Sequence, residues 1–184
     1  MDFISVDRLI HHDPLDTSYV SVADYVQAIT SGKSFGEKRT TPLMIADGLE
    51  KDCGKALDLV KNIRTKGNDP LMFEVADIEA WANLGLYFAE KLRGAVALQL
   101  YRIQGDEENK AEAVAHLEKA LGFWDQVIAI TRPIYRDMPL VHYSEQDGKS
   151  WQENDSLRFH WALLRPDVAK DVETAKNASV VIGP

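Results

Sequence analysis

From residue 74 to residue 102 the chain carries no proline, and its apolar residues fall on a wide helical arc. That arc includes Ile78, Trp81, Leu84, Phe88, Leu92, Val96 and Tyr101. An unbroken helix over this stretch is about 40 Å long at 1.5 Å per residue, more than an ordinary globular helix. The pattern therefore predicts a spine against which the other helices pack. A second seam, Val114, Leu117, Leu121, Trp124, Ile128 and Thr131, predicts a helix over 107–131 with Glu108, Glu112, Lys119 and Asp125 on its opposite face. Gly105-Asp106 places a glycine stop directly before an acidic N-cap, so these two helices form an antiparallel hairpin.

The remaining helices are marked by their ends. Ser21 caps a short helix over 22–30, with Asp24 three residues on and Gly32 as the stop. Thr41-Pro42 opens a helix carrying Ile45, Leu49, Cys53, Ala56, Val60 and Ile63, which is expected to end near Lys66-Gly67. Asp69-Pro70 repeats the device and launches the spine. A last helix is predicted over 166–177, with Val168, Val172 and Ala175 inward. Residues 1–20 read as an extended segment and 137–157 as an irregular aromatic and acidic loop. The fold class is all-α: one domain over 1–184, an antiparallel bundle of four to five helices with one long central helix.

A possible repeat has to be weighed against this. Trp81-x-x-Leu84-Gly85-x-x-Phe88 with Ala97 and Tyr101 has the spacing of a tetratricopeptide unit. No second copy follows, and one unit cannot stack into a solenoid, so the match reads as the packing pattern of one long helix.

Composition narrows the function classes. The chain is 45% hydrophobic and 27% charged with a net charge of −8, ordinary for a globular domain and wrong for a nucleic-acid or anionic-membrane partner. No apolar run approaches the ~20 residues of a membrane span, and MDFISVDRLIHHD lacks a signal peptide's basic start and apolar run. The single cysteine, Cys53, excludes an internal disulfide and falls on an apolar seam, where it reads as a small buried hydrophobe.

No pattern for chemistry is complete. Glu112 and His116 are four apart without a second copy, which suits a solvated pair better than a di-metal centre. His11-His12-Asp13 has zinc-type ligands, but neighbours on an extended chain point apart and no further cluster completes the set. Phosphate loop, nucleophile elbow and HExxH are all missing, so no catalytic residue, metal or cofactor is assigned.

Ligand-binding character is concentrated between Tyr135 and Trp161, where aromatic rings mix with acids and amides. Arg136, His142, Tyr143, Glu145 and Trp151 are the candidate binding residues. Phe159 and Trp161 read as rings that pin the loop to the bundle, while Tyr143 and Trp151 stand open between packing and binding.

Three motifs carry a family resemblance. Phe88-Ala89-x-Lys91-Leu92-Arg93, the Gly105-Asp106 turn and Ala113-x-x-x-Leu117-Glu118-x-Ala120-x-x-x-Trp124 resemble the C-terminal helical region of large bacterial glycoside-hydrolase-like proteins. The similarity spans about Ser21 to Lys176 and rests on packing motifs. It implies a non-catalytic accessory domain whose parent holds the catalytic residues on a preceding barrel, in the periplasm or secreted. Implied partners are a catalytic domain of the parent or a neighbouring polypeptide, a glycan, and a second copy of the chain. The alternative is a free-standing helical module for protein–protein interaction.

Overall fold

The chain's punctuation is realised at most of its helix ends. The computed structural model describes residues 3–35, 39–139, 142–146, 149–153 and 158–181, and from 139 to 153 the backbone alone. Helix α1 spans Val6–His11, α2 Val22–Thr30, α3 Pro42–Val60, α4 Asp69–Gln104, α5 Glu107–Thr131 and α6 Trp161–Lys176. The hydroxyls of Ser21 and Thr41 accept from the Asp24 and Met44 amides, and the Asp106 carboxylate accepts from the Glu108 amide. Gly105 closes α4 in the left-handed conformation at φ 74°, its amide donating to the Tyr101 carbonyl.

At 36 residues, α4 runs about 54 Å and is the central element. Helix α3 lies antiparallel on one side, with Leu49 and Cys53 against Gly85 and Asp47 and Glu50 on Arg93. Helix α5 lies antiparallel on the other, with Leu117 against Gly94 and Trp124 edge-on to Tyr87. Helix α6 returns along α5, where Arg165 meets Asp125 and Lys176 meets Glu118. An all-α bundle about a long central helix is the architecture.

The core has two parts. The larger joins Val6 and Ile10 of α1, Val22 and Val26 of α2 and Ala46 of α3 to Leu92, Ala95, Val96 and Leu98 of α4, with Leu117 and Val172 beside them. The smaller gathers Tyr87, Ala120, Trp124 and Val168, and Leu121 packs against both.

Four expectations are corrected. Residues 1–20 are not wholly extended: Ser5 caps α1 through the Arg8 amide, and Val6 and Ile10, one turn apart, are fully buried. Helix α3 ends at Val60, where Lys61 has the last α-type amide bond and the chain turns through Gly67 into the Asn68 cap of α4. Helix α6 begins at Trp161, five residues early, because the His160 ring caps it by accepting from the Ala162 amide; Pro166 lies inside it. The 137–157 stretch is not irregular throughout. Met138–Pro139 (β1) pairs with Arg158–Phe159 (β4), and His142–Gln146 (β2) with Lys149–Glu153 (β3), both antiparallel.

Candidate functional site: an apolar seam leading to a pit

Ile78, Trp81, Gly85, Phe88 and Leu92 are spaced three, four, three and four along α4, the period of a helix-packing seam. The seam meets three environments. At Leu92 it is buried under α1 and α2. At Gly85 it touches α3, so closely that a β-carbon there would lie 2.3 Å from Cys53 Sγ. Between and below, Ile78 is 42% exposed, Trp81 70% and Phe88 38%. Among the described residues α1 and α2 cover only the C-terminal half of this face. Sequence periodicity puts Ile78, Trp81, Phe88 and Leu92 on one arc; in the structure α3 covers Gly85 between them, and Ile78, Trp81 and Phe88 are left exposed.

Phe88 also forms one wall of a pit. Pro42 and Ile45 from the start of α3, Leu9 of α1, Tyr19 and Val20 before α2, and Ile4 enclose with it a cavity of about 240 Å³. The lining is mostly apolar, with Ser21, His12 and Asp13 as polar members beside Tyr19, and it contains no lysine or arginine. Tyr19 and Thr40 are bridged in parallel, which holds the chain before α2 against the entry to α3.

A smaller cleft of about 220 Å³ lies at the foot of the seam, lined by Asp77, Tyr135, Arg136, Met138, Phe159, His160 and Trp161. The Tyr135 hydroxyl donates to Asp77, and that bond raises the Tyr135 pKa, helped by burial and by the charges of Asp77 and Glu74. Phe159 and Trp161 meet edge to face. His160 is buried; its Nδ1 accepts from the Ala162 amide, and among the described residues no acceptor completes a hydrogen bond to Nε2. Burial and then Arg132 lower the His160 pKa, against Asp137 and the Thr131 carbonyl. The ring lies between the end of α5 and the start of α6.

Of the sequence candidates, Arg136 is exposed and lines this cleft. His142, Tyr143 and Glu145 fall on β2 and Trp151 on β3, where Ser144 pairs with Trp151 and His142 with Glu153. Their side chains lie outside the described residues. Phe159 and Trp161 hold β4 and α6 to the bundle, as their setting predicts.

The buried charges are a feature that helical periodicity does not reveal. Lys91 and Asp171 pair at 2.7 Å with both side chains 3% exposed. Lys91 Nζ also donates to the Tyr87 hydroxyl and to the Ile4 carbonyl, and lies 4.1 Å from the centre of the Phe3 ring. Asp171 accepts from the Val6 amide, the first of α1. Burial raises the Asp171 pKa and lowers that of Lys91, each partner's charge opposing the change in the other. The pair ties the N-terminal segment to α4 and α6.

Next to it, buried Glu90 accepts from Lys119 and Arg93, and His116 Nδ1 lies 2.6 Å from it, so His116 pairs across the α4–α5 interface rather than with Glu112. Burial would raise the Glu90 pKa, but the hydrogen bonds and charges of Lys119 and His116 bring it below the ordinary value. The adjacent histidines part: His11 lines a cleft with Arg102 and Thr174, and His12 the pit. Among the described residues no three His, Cys, Asp or Glu side chains are grouped to hold a metal, and no helix is long and apolar enough to cross a membrane. Comparison with protein families, curated proteins and solved structures returns no match to this chain.

Proposed function

We propose that this protein is a non-catalytic helical docking domain, an accessory module that packs the exposed face of α4 against another protein surface. One observation carries the reading: Trp81, the largest side chain type, stands 70% exposed on a regular helix, in register with exposed Ile78 and Phe88. Water around such a row costs free energy that a partner's apolar surface would recover, at about 25 cal/mol per Å². Tryptophan is also the residue most enriched among those that dominate binding energy. A glycan-binding role has the aromatic cleft at Asp77 in its favour, but about 220 Å³ is smaller than the ~300 Å³ at which small-molecule sites begin. The glycoside-hydrolase-like parent implied by the packing motifs would supply one such surface, its catalytic domain.

A photo-crosslinking residue at position 78, introduced in the source organism, tests the reading. A discrete protein adduct is expected that disappears with Trp81→Asp and is not formed from exposed position 112 on α5. Equal, diffuse labelling from both positions would overturn it.

A further inference from the structure

The backbone around Ser5 is held by side chains from far along the chain. Lys91 of α4 donates to the Ile4 carbonyl, and Asp171 of α6 accepts from the Val6 amide. The two charges pair with each other at 2.7 Å, both 3% exposed. The Lys91 ammonium also faces the Phe3 ring, and Asp7 meets Arg102 of α4. We propose that residues 3–11 form a strap that lifts from the bundle as one unit, baring Lys91 and Asp171 while α3 to α6 stay folded. Such a strap needs no partner protein, so it stands or falls apart from the docking reading above.

The strap is short, loosely packed on one side and held by a costly lock. Its helix has six residues, far below the ~12–15 at which an isolated helix becomes marginal, so α1 keeps its shape only while docked. Beside it lies the pit of about 240 Å³, with Ile4 and Leu9 on the strap's side and Pro42, Ile45 and Phe88 on the bundle's. Side chains across such a gap forgo dispersion contacts, so the docked strap gains less than a close-packed element would. The lock is two charges taken out of water, and opening returns the hydration that offsets their attraction.

The contacts break together. Lys91 and Asp171 bond main-chain atoms on either side of Ser5, so neither bond survives if this stretch moves away. Val6 and Ile10, one turn apart and fully buried, leave with them. A hinge is available directly after α1. From His12 onward local hydrogen bonds join the His12 ring to the Asp13 carbonyl and Asp16 to Ser18 and Tyr19, and the Tyr19–Thr40 bridge then pins the chain. Lifting the strap removes the outer wall of the pit and part of the cover over Leu92, one turn from exposed Phe88. The position of the strap thus sets how much apolar surface α4 presents.

Two measurements on the full chain under native conditions test the strap. In hydrogen exchange, the amides of Leu9 and Ile10 are expected to be protected at least about tenfold less than those of Ala95–Leu98 in α4. In acylation with an N-hydroxysuccinimide ester, read by peptide mass spectrometry, Lys91 should react more slowly than exposed Lys61 but at least about tenfold faster than the whole chain unfolds. Equal protection of α1 and α4, or Lys91 acylation no faster than global unfolding, would make α1 a fixed part of the core and overturn the proposal.

Ile10→Asp provides the second variant, since a carboxylate at this buried position forces the strap off. It is expected to keep one cooperative urea transition and native protection in α5, while Lys91 acylation rises to the rate of Lys61. Loss of the cooperative transition, or Lys91 still shielded in a folded variant, would overturn the proposal as well.

Discussion

At the scale of single residues, two glycines and one carboxylate illustrate how close packing and charge constrain α4. Glycine weakens a helix interior, yet Gly85 and Gly94 sit where α3 and α5 approach most closely. A β-carbon on Gly94 would stand 2.8 Å from Leu117 Cγ, a branched atom in a closely packed core. Gly94→Ala should therefore cost about 1–3 kcal/mol despite alanine's better helix propensity, measured by urea unfolding. Glu90 supplies a pH-dependent term. Its pKa is lowered in the folded state, so its contribution is complete above the unfolded value and is lost as pH falls through the folded one. The unfolded value is about 4.3, and acid should erode stability below roughly pH 4. Asp171 acts in the opposite sense, since its raised pKa lets the folded state take up its proton more readily. Comparing Glu90→Gln with the parent across pH 2–6 isolates the first effect. The variant is expected to show a shallower acid slope, and an unchanged slope would mean that Glu90 titrates alike folded and unfolded.

At the scale of elements, α4 is one helix with two histories of burial. Its C-terminal half is enclosed by α1, α2, α3 and α5, and its N-terminal half lacks the first two. Hence Leu117→Ala, which empties space against Gly94 and the larger core, should cost about 2–5 kcal/mol in denaturant unfolding. Trp81→Ala, a larger truncation on the open half, should change stability by no more than about 0.5 kcal/mol. If Trp81→Ala destabilised the chain as much as Leu117→Ala, its ring would be a core residue and the docking face would not exist. The short α1 makes the complementary case. Six residues are too few for a stable isolated helix, so it depends on Val6, Ile10 and the Lys91–Asp171 pair that receives its first amide.

For the whole molecule, the prediction concerns chemistry. Glycoside hydrolysis needs two carboxyl groups held about 5–10 Å apart across the bond to be broken. Glu145, Asp147, Glu153 and Asp155 lie among the rings of the aromatic segment, and no pair of them carries the sequence signature of a glycosidase acid and its partner. Purified protein should turn over no aryl-glycoside, with or without added divalent metal. Turnover abolished by replacing any one of these four would overturn the docking reading in favour of a small helical enzyme.

Much of the secondary structure was legible along the chain, because caps and stops are local physics. Ser21, Thr41, Gly105 and Asp106 satisfy or end hydrogen bonds within a few residues of themselves, and α2 and α5 begin and end where their sequence predicts. The Ser5 cap is equally local, but the six residues of α1 are too few to establish a helical period. Tertiary structure alone decided which apolar residues are covered. Periodicity shows that Ile78, Trp81, Phe88 and Leu92 share a face; burial depends on whether another element reaches that level of the helix, and α1 and α2 reach Leu92 but not Trp81. The same holds for charge. Lys91 and Asp171 are separated by the end of α4, all of α5 and the first part of α6, and only the fold brings them within 2.7 Å in an interior where neither could remain without the other.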